Sequence, residues 1–428
     1  MRKQLRAKYK IQRDKEKKKI KRTAQAERYS YENTFQYTHF LSSMKKCTVG
    51  VGWKTSVQNY YLNCIIKVYR DYLCMINKKL PSPISDRKIR IYERGKERTI
   101  TPIHIKDRMI QKVLCDYYLT PILIPKLIYD NGASVKGKGV SFARKRMAKH
   151  LADAIKEYGT DFYVLSYDFK SFFDSIPHKT CRHILEKYIA DKDIIKITMD
   201  IIKAPHLADI KKIKDKTEIG RRIEQLGKDE LCGICLGSQV SQIMALVIAN
   251  ELDHYVKDYR KFRYYIRYMD DGKVFAKTKE ELVQLFEEMK IICCKLGLKF
   301  NSKKTNIKHI KCGFTFLKTR YFVDSQSGKI IKKLSHAGIV RMRRKLRKLS
   351  VKYNDGTLSL NHVYDSMQSW LAHAKIADSY KTVGSMLRLY RKLFGKKFRM
   401  KKDLKINKGG GDNILQNDRF AKYRWGTV

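Results

Sequence analysis

Tyr268-Met269-Asp270-Asp271 lies between two apolar, strand-like runs, Phe262–Tyr268 and Lys273–Ala276, with Gly272 directly after the acids. This pattern predicts a tight β-hairpin that carries two carboxylates at its tip. Such a tip is a poor place for unpaired negative charge but a good place to hold a divalent cation. A solvated Asp-Asp turn would give the same short string, so the interpretation depends on what the rest of the chain supplies.

The bulk composition indicates a folded protein with a polyanionic partner. The chain has 428 residues, 43% of them hydrophobic, and a formal net charge of +51. Self-repulsion on this scale strains a compact fold, so we expect nucleic acid or an anionic membrane to neutralise it. Since the chain has no run of about 20 apolar residues and no N-terminal signal core, nucleic acid is favoured and no membrane partner is expected. The scattered cysteines are typical of a reduced, cytoplasmic protein.

A third acid is predicted beside the hairpin. The stretch Asp161–Tyr167 has the pattern of a buried strand that ends on Asp168. The order of strands and helices predicts a small sheet backed by helices, in which Asp168 and Asp270 face each other with Asp271 next to them. Three carboxylates in one place repel each other unless hard cations lie between them. Mg²⁺ prefers such oxygen ligands together with substrate phosphates, and two such ions suit in-line phosphoryl transfer.

The remaining pattern is mostly helical. Apolar spacing predicts helical structure from Tyr29 to about Leu80, as in Val57–Met75, and helical stretches over about His178–Lys203 and Ser238–Lys257. The charged stretch Lys211–Lys228 indicates a loop or insertion. From about Lys333 we expect helices only.

A basic helix is predicted near the C-terminus, over Val340–Leu349. Its apolar residues share one face, and its cations lie off that face at Arg341, Arg344, Lys345 and Lys348. Such a polar face suits a phosphate backbone. A solvated basic face packed on a core is an equally good interpretation.

Six motifs follow one another in a fixed order: Arg94-Gly-Lys96-Glu-Arg98 with Pro102 and Asp107-Arg108; Asp168-Phe-Lys-Ser-Phe172-Phe173-Asp174; Gly233-Ile-Cys-Leu236-Gly237-Ser238-Gln239-Val-Ser241-Gln242; Tyr268-Met-Asp270-Asp271; Leu296-Gly-Leu-Lys299-Phe-Asn301 with Lys303-Lys304-Thr305; and Gly313-Phe-Thr-Phe316-Leu. In this order the chain resembles the reverse transcriptase family over about Arg87–Phe322. The resemblance is specific, because chance does not place six such motifs in register.

The resemblance implies an α+β fold, the right-hand polymerase, with fingers, an RRM-like antiparallel palm sheet backed by helices, and a helical thumb. The expected parts are a basic, largely helical N-terminal extension (1–80), fingers (81–160), a palm with the catalytic site (161–330), a basic helical thumb (331–400) and a flexible tail (401–428). The extension begins with Met1–Arg28, which is either a solvated tail or a basic helix that forms on RNA.

The resemblance also implies roles for individual residues. Asp168, Asp270 and Asp271 are the expected catalytic carboxylates, and together with Phe169 they are expected to hold two Mg²⁺ ions, for which Mn²⁺ can substitute. The expected nucleotide-binding residues are Lys96, Arg98, Phe173, Gly237, Ser238 and Gln242. The basic helix pattern, rather than the resemblance, gives the expected nucleic-acid contacts Arg341, Arg344, Lys345 and Lys348.

Each nucleotide-binding assignment has a physical reason and a competing interpretation. Lys96 and Arg98 would clamp a triphosphate, although in so basic a chain they could be ordinary surface cations. Phe173, at the position of the family's aromatic gate, would exclude a ribose 2′-hydroxyl, although Phe172 and Phe173 also suit a core and one of them is expected there. Gly237 and Ser238 permit close approach of the main chain at a helix start.

The implied function is an RNA-directed DNA polymerase that copies a template RNA into cDNA from dNTPs and holds the RNA/DNA hybrid. Leu236-Gly237 followed by Ser241-Gln242 is similar to the reverse transcriptases of diversity-generating retroelements. Those enzymes copy with frequent errors opposite adenine and work with a small basic accessory protein. A bacterial or phage-encoded enzyme is expected. The alternatives are a defence-associated or group II intron-like reverse transcriptase, an RNA-dependent RNA polymerase, and a catalytically inactive RNA-binding scaffold.

Overall fold

The computed structural model describes residues 27–81, 89–93, 96–395 and 398. Residues 1–26 of the predicted basic extension, Arg94 and Gly95 of the first motif, and the predicted tail from Lys401 lie outside the described residues. The described chain is α+β, with helices and antiparallel sheets, as predicted. The described residues form two compact units, one made of those up to 154 together with 162–308, the other of 155–161 together with those from 309 to 395.

Helices come first in the described part of the first unit: α1 (Tyr31–Thr34), α2 (Tyr37–Thr48), α3 (Thr55–Tyr61) and α4 (Cys64–Ile76). The helical pattern predicted for this region, including Val57–Met75, is confirmed, although the chain leaves the helical conformation briefly between α3 and α4. Asn63 has φ −125° and ψ 41°. Asparagine favours such positions because its side chain competes for main-chain hydrogen bonds.

A two-stranded antiparallel sheet follows, formed by β1 (Ile89–Glu93) and β2 (Lys96–Ile100). The next helix, α5 (Ile105–Leu114), continues through a π-helical turn into α6 (Thr120–Leu123). After a loop, α7 spans Val140–Tyr158.

The central sheet has the strand order β4-β5-β3-β6. Its strands are β3 (Tyr163–Asp168), β4 (Tyr265–Tyr268), β5 (Asp271–Ala276) and β6 (Asn306–His309). The pairs β3–β5 and β4–β5 are antiparallel. The strand that ends on Asp168 therefore lies beside the hairpin, as the sequence predicts.

Helices around this sheet share one apolar core with it. In chain order they are α8 (Phe172–Ser175), α9 (His178–Tyr188), α10 (Lys192–Ile210), α12 (Gln239–His254) and α13 (Lys279–Lys295). Between α10 and α12 the chain also forms α11 (Lys216–Gly227), which contributes no residue to that core. The helix predicted over His178–Lys203 is two helices, α9 and α10. Asp191 separates them and caps α10 by accepting hydrogen bonds from the main-chain N–H groups of Asp193 and Ile194.

The prediction of a loop or insertion over Lys211–Lys228 is wrong, because most of this stretch forms helix α11. Asp215 caps the helix by accepting a hydrogen bond from the Thr217 N–H at 2.9 Å. Glu218 pairs with Arg222 four residues later at 2.9 Å, and Glu224 pairs with Lys228. Charge pairs at this spacing support an exposed helix whose apolar content alone would not reveal it.

The second unit contains an antiparallel sheet of order β7-β8-β9, formed by β7 (Phe314–Phe316), β8 (Thr319–Val323) and β9 (Ile330–Leu334). The turn between β7 and β8 has positive φ at Leu317 and Lys318. Strand β9 was not predicted, and it contains Lys333, where the helical region was expected to begin. The helices begin at His336, where the Ser335 side chain caps the first turn.

Three helices complete the described second unit: α14 (His336–Asn354), α15 (Leu360–Ala374) and α16 (Tyr380–Phe394). The predicted apolar face of α14 is confirmed, since Met342, Leu346 and Leu349 are buried in the core of these helices. Among the residues described, no helix is long and apolar enough to cross a lipid bilayer.

Candidate active site

The hairpin turn consists of Met269 and Asp270, because Tyr268 and Asp271 already pair as strand residues. Met269 has a φ of 54°, a region that residues with a Cβ rarely adopt. Of the two adjacent acids, only Asp270 therefore lies in the turn. Asp271 is the first residue of β5, which corrects the prediction that both acids lie at the tip.

The structure brings the three predicted acids together. Asp168 ends β3 and is the register partner of Asp271 on β5. The main-chain N–H of Phe169 donates to the Asp270 carbonyl at 3.1 Å and fixes the turn to the end of β3. Burial raises the pKa of Asp270, and the charges of Asp168 and Asp271 raise it further. Burial also raises the pKa of Asp271, and the Lys273 ammonium opposes that change.

Two lysines, neither assigned to the site from the sequence, contact these acids. Lys304 Nζ lies 2.7 Å from both carboxylate oxygens of Asp168. Lys273, only 3% exposed, donates from Nζ to Asp271 and to the Gly272 carbonyl, the latter at 3.2 Å. Two features of the sequence could have assigned these lysines to the site. Lys304 belongs to one of the six motifs, and Lys273 is a cation within an apolar strand.

The acids provide the kind of donors that a hard cation requires. In the described part of the chain, no three His, Cys, Asp or Glu side chains are arranged with the geometry of a metal cluster. The Asp168 carboxylate instead binds one ammonium and the Asp271 carboxylate another. Because the mutual repulsion of these acids raises the pKa of Asp270, a divalent cation among them would relieve it. Carboxylate oxygens suit Mg²⁺, so the residues present fit such an ion.

We expect Asp270→Asn to raise the melting temperature of the metal-free protein at pH 7. An acid whose folded-state pKa is raised destabilises the fold above that pKa, and the penalty disappears below the unfolded-state pKa of about 3.9. Thermal unfolding in EDTA from pH 7 to pH 3.5 measures this difference, which should vanish at the acid end. An Asn variant that is less stable than wild type at pH 7 would contradict the prediction.

The two adjacent phenylalanines occupy different environments. Phe172 is 5% exposed and stacks on Phe169 with ring centroids 5.0 Å apart, so it is the core residue of the pair. Phe173 is half-buried and packs edge-on against Phe172 at 5.7 Å. The Phe173 carbonyl accepts a hydrogen bond from the Ile234 N–H at 2.9 Å, which ties this segment to the loop before α12.

The loop before α12 has the geometry that its sequence suggests. Gly237 has a φ of 109°, which requires glycine. The Ser238 hydroxyl accepts from the Ser241 N–H and donates to Gln111 Oε1 at 2.9 Å, so it caps α12 and joins it to α5. Leu236 is half-buried, and Gln242 is exposed in the first turn of α12.

The other predicted binding residues lie on β2 and α14. Lys96 and Arg98 occupy alternate positions of β2, where their main chains pair with Glu93 and Ile91 of β1. On α14 of the second unit the four predicted cations are all exposed: Arg341, Arg344, Lys345 and Lys348.

Among known proteins, the chain is 23% identical to Protein YkfC of Escherichia coli (strain K12) over 343 residues, which are 71% of this chain and 81% of that protein. It is 13% identical to the apo telomerase of Candida tropicalis truncated from its C-terminal domain, covering 58% of this chain and 54% of that one, with a TM-score of 0.41. It is 12% identical to the telomerase of Candida albicans in complex with a fragment of telomeric RNA, covering 70% and 54%, with a TM-score of 0.38. The chain thus spans about half of each telomerase chain.

Residues 78–353 match the family described as "Reverse transcriptase (RNA-dependent DNA polymerase)". This match covers most of the chain and includes the three acids, the loop before α12 and helix α14. The chain therefore belongs to the reverse transcriptase family, the family of RNA-directed DNA polymerases, as its motifs predict.

Proposed function

We propose that this protein copies a template RNA into cDNA, using dNTPs as substrates and holding the RNA/DNA hybrid. The observation that carries the proposal is the convergence of Asp168, Asp270 and Asp271 at one end of a sheet within a chain of the reverse transcriptase family. The burial and mutual repulsion of these acids are expected for a site that works with bound cations.

We propose further that Asp168, Phe169, Asp270 and Asp271 hold two Mg²⁺ ions, with Mn²⁺ as a substitute. Bound divalent ions lower the pKa of an attacking hydroxyl and neutralise the charge that develops on a transferring phosphoryl group. The protein's own contribution is to orient the acids. The Phe169 N–H holds the turn, and the pairing of β3 with β5 sets Asp168 beside Asp271.

The remaining residues are proposed to bind substrates. Phe173 would contact the sugar of the incoming nucleotide, and Gly237, Ser238 and Gln242 would contact the nascent base pair. Lys96 and Arg98 would offset the charge of the triphosphate. The exposed cations of α14, at Arg341, Arg344, Lys345 and Lys348, would contact the nucleic-acid backbone.

Primer extension by the full-length chain on a defined RNA template with Mg²⁺ tests this proposal. We expect dNTP incorporation that depends on the RNA template and ceases in EDTA. Absence of dNTP incorporation would reject the proposal, and RNA binding without incorporation would favour an inactive scaffold. A preference for NTPs over dNTPs would favour an RNA-dependent RNA polymerase.

Lys304→Gln should lower the Mg²⁺ concentration that stabilises the protein. The Lys304 ammonium neutralises Asp168, so an ion must displace it from both carboxylate oxygens. A titration of melting temperature against Mg²⁺ without nucleic acid measures the midpoint, and Lys303→Gln removes a neighbouring exposed lysine as the matched control. An unchanged midpoint in Lys304→Gln, or an equal change in both variants, would contradict the prediction.

We also propose that this is the reverse transcriptase of a diversity-generating retroelement, with low fidelity and a small basic accessory protein. Support comes from Leu236-Gly237 and Ser241-Gln242, because an aliphatic side chain at the loop offers no hydrogen bond with which to enforce base-pair geometry. A defence-associated or group II intron-like enzyme is the alternative. Sequencing cDNA made on a defined RNA distinguishes them, since equal error rates at adenine and at other template bases would reject the retroelement assignment.

A bacterial or phage origin is proposed from the same likeness to the reverse transcriptases of diversity-generating retroelements. A cytoplasmic location is proposed from the cysteines. All ten cysteines lie among the described residues and are free thiols. Free thiols are typical of a reducing compartment.

A further inference from the structure

Arg267 is the largest fully buried side chain of the described chain, although it is charged. Burying a guanidinium is costly unless it is paired and its N–H groups are satisfied. Its partner is Asp253 of α12, which is also fully buried. Arg267 Nε donates to Asp253 Oδ1 at 2.7 Å and Nη2 donates to Oδ2 at 2.6 Å, a bidentate pair of the strongest kind.

Further hydrogen bonds of this pair lie within α12 and β4, and Tyr265 extends them to β3. Arg267 Nη2 also donates to the Leu246 carbonyl of α12 at 3.0 Å, and Asp253 Oδ1 accepts from the Tyr265 hydroxyl of β4 at 2.6 Å. The hydroxyls of Tyr265 and Tyr167 lie 2.6 Å apart. The Tyr167 ring covers Gly272 so closely that a Cβ there would overlap it. Through Tyr265 and Tyr167 the charged pair is therefore connected to the strands that carry the hairpin.

The Nη1 group of Arg267 reaches the hairpin turn itself. Nη1 donates to the Met269 carbonyl at 2.9 Å, and that carbonyl belongs to the peptide group preceding Asp270. The peptide group following Asp270 is fixed by the Phe169 N–H at 3.1 Å. Both peptide groups that flank the Asp270 Cα are thus held by hydrogen bonds from outside the turn. Together they determine the direction in which the Asp270 side chain leaves the main chain.

The turn needs such support, because Met269 adopts a φ of 54° although it has a Cβ. A conformation of this kind persists where surrounding contacts enforce it. An apolar pair would fill the same space, and a buried ion pair is weak support for stability alone. We infer that the buried Arg267–Asp253 pair positions Asp270 for the polymerase reaction by fixing the Met269–Asp270 peptide group.

This inference rests on the proposed function, and the same primer-extension assay tests both. In Arg267→Lys the charge remains but the bidentate pair and the contact with Met269 are lost. We expect kcat to fall about 10- to 100-fold, as for other residues that orient a catalytic ligand, while the KM for dNTP changes less than about twofold. Asp253→Asn, which leaves the guanidinium without its counter-charge, should reduce kcat at least as much.

The matched control is Asp71→Asn. Asp71 is another buried carboxylate that accepts a tyrosine hydroxyl at 2.6 Å, from Tyr60, and it lies in α4 away from the hairpin. We expect this variant to retain the wild-type kcat. If Asp253→Asn does not fold, Arg267→Lys decides the outcome.

A second-site change separates positioning from mere stability. Glycine adopts positive φ without steric cost, so Met269→Gly reduces the dependence of the turn on Arg267. Added to Arg267→Lys, it should restore at least about threefold of the lost kcat when both variants are assayed at a temperature at which they are fully folded. The inference is overturned if Arg267→Lys keeps the wild-type kcat, if Asp71→Asn loses as much kcat as Asp253→Asn, or if Met269→Gly restores nothing. An inactive wild-type protein would instead reject the proposed function.

Discussion

Asp270→Asn should reduce dNTP incorporation at least about a thousandfold, an effect on the scale of losing a principal electrostatic group in an enzyme site. The change keeps the shape of the side chain and removes its charge. Of the three acids only Asp270 lies in the turn, whereas Asp168 ends β3 and Asp271 begins β5, so we expect neither to take its place. Single-nucleotide incorporation at saturating dNTP and Mg²⁺ measures the rate.

Asp174→Asn is the matched control for this prediction. Asp174 lies six positions after Asp168 in the same motif, but it is exposed on the short helix α8. We expect it to retain activity within about threefold of wild type, as surface substitutions usually do. Because Asp270→Asn should also raise the melting temperature at pH 7, loss of activity cannot be attributed to unfolding. Appreciable incorporation by Asp270→Asn would exclude Asp270 as a catalytic ligand.

The strands and the acids of this site could be predicted because their signals are local. Short apolar runs on either side of Asp270 and before Asp168 define β4, β5 and β3 within a few residues. An antiparallel sheet then leaves few ways to arrange them, so the meeting of Asp168 with Asp271 follows from the strand order. The assignment of Phe172 rather than Phe173 to the core required the structure, because both have the same pattern in sequence.

The charged contacts of the site could not be predicted in this way. Lys304 and Asp168 are 136 positions apart, and no periodicity connects them. Asp253 lies on α12 and Arg267 on β4, and each alone would be interpreted as a polar residue at the edge of an apolar run. Helix α11 was missed for a related reason, since its support comes from ion pairs such as Glu218–Arg222 rather than from an apolar stripe.

The role of Phe173 leads to the second large effect. Its ring is half-buried and held edge-on by Phe172, and its carbonyl is bound by the Ile234 N–H. A ring held in this way suits the role proposed for Phe173, the exclusion of a ribose 2′-hydroxyl by contact. Steric exclusion needs rigid support, and the core residues Phe172 and Phe169 supply it.

We therefore expect Phe173→Val to reduce discrimination between dNTP and NTP by roughly 100-fold, the scale on which a pocket rejects a substrate through a few atoms of steric overlap. Most of the change should come from faster NTP incorporation, with dNTP incorporation little altered. Competing dCTP and CTP on one RNA template measures the ratio of kcat/KM. Phe172→Leu is the control: it removes core volume next to the same ring and should lower the melting temperature while keeping the preference for dNTP. If Phe172→Leu relaxes the preference as much as Phe173→Val does, selection depends on the packing of the whole segment rather than on contact with the Phe173 ring.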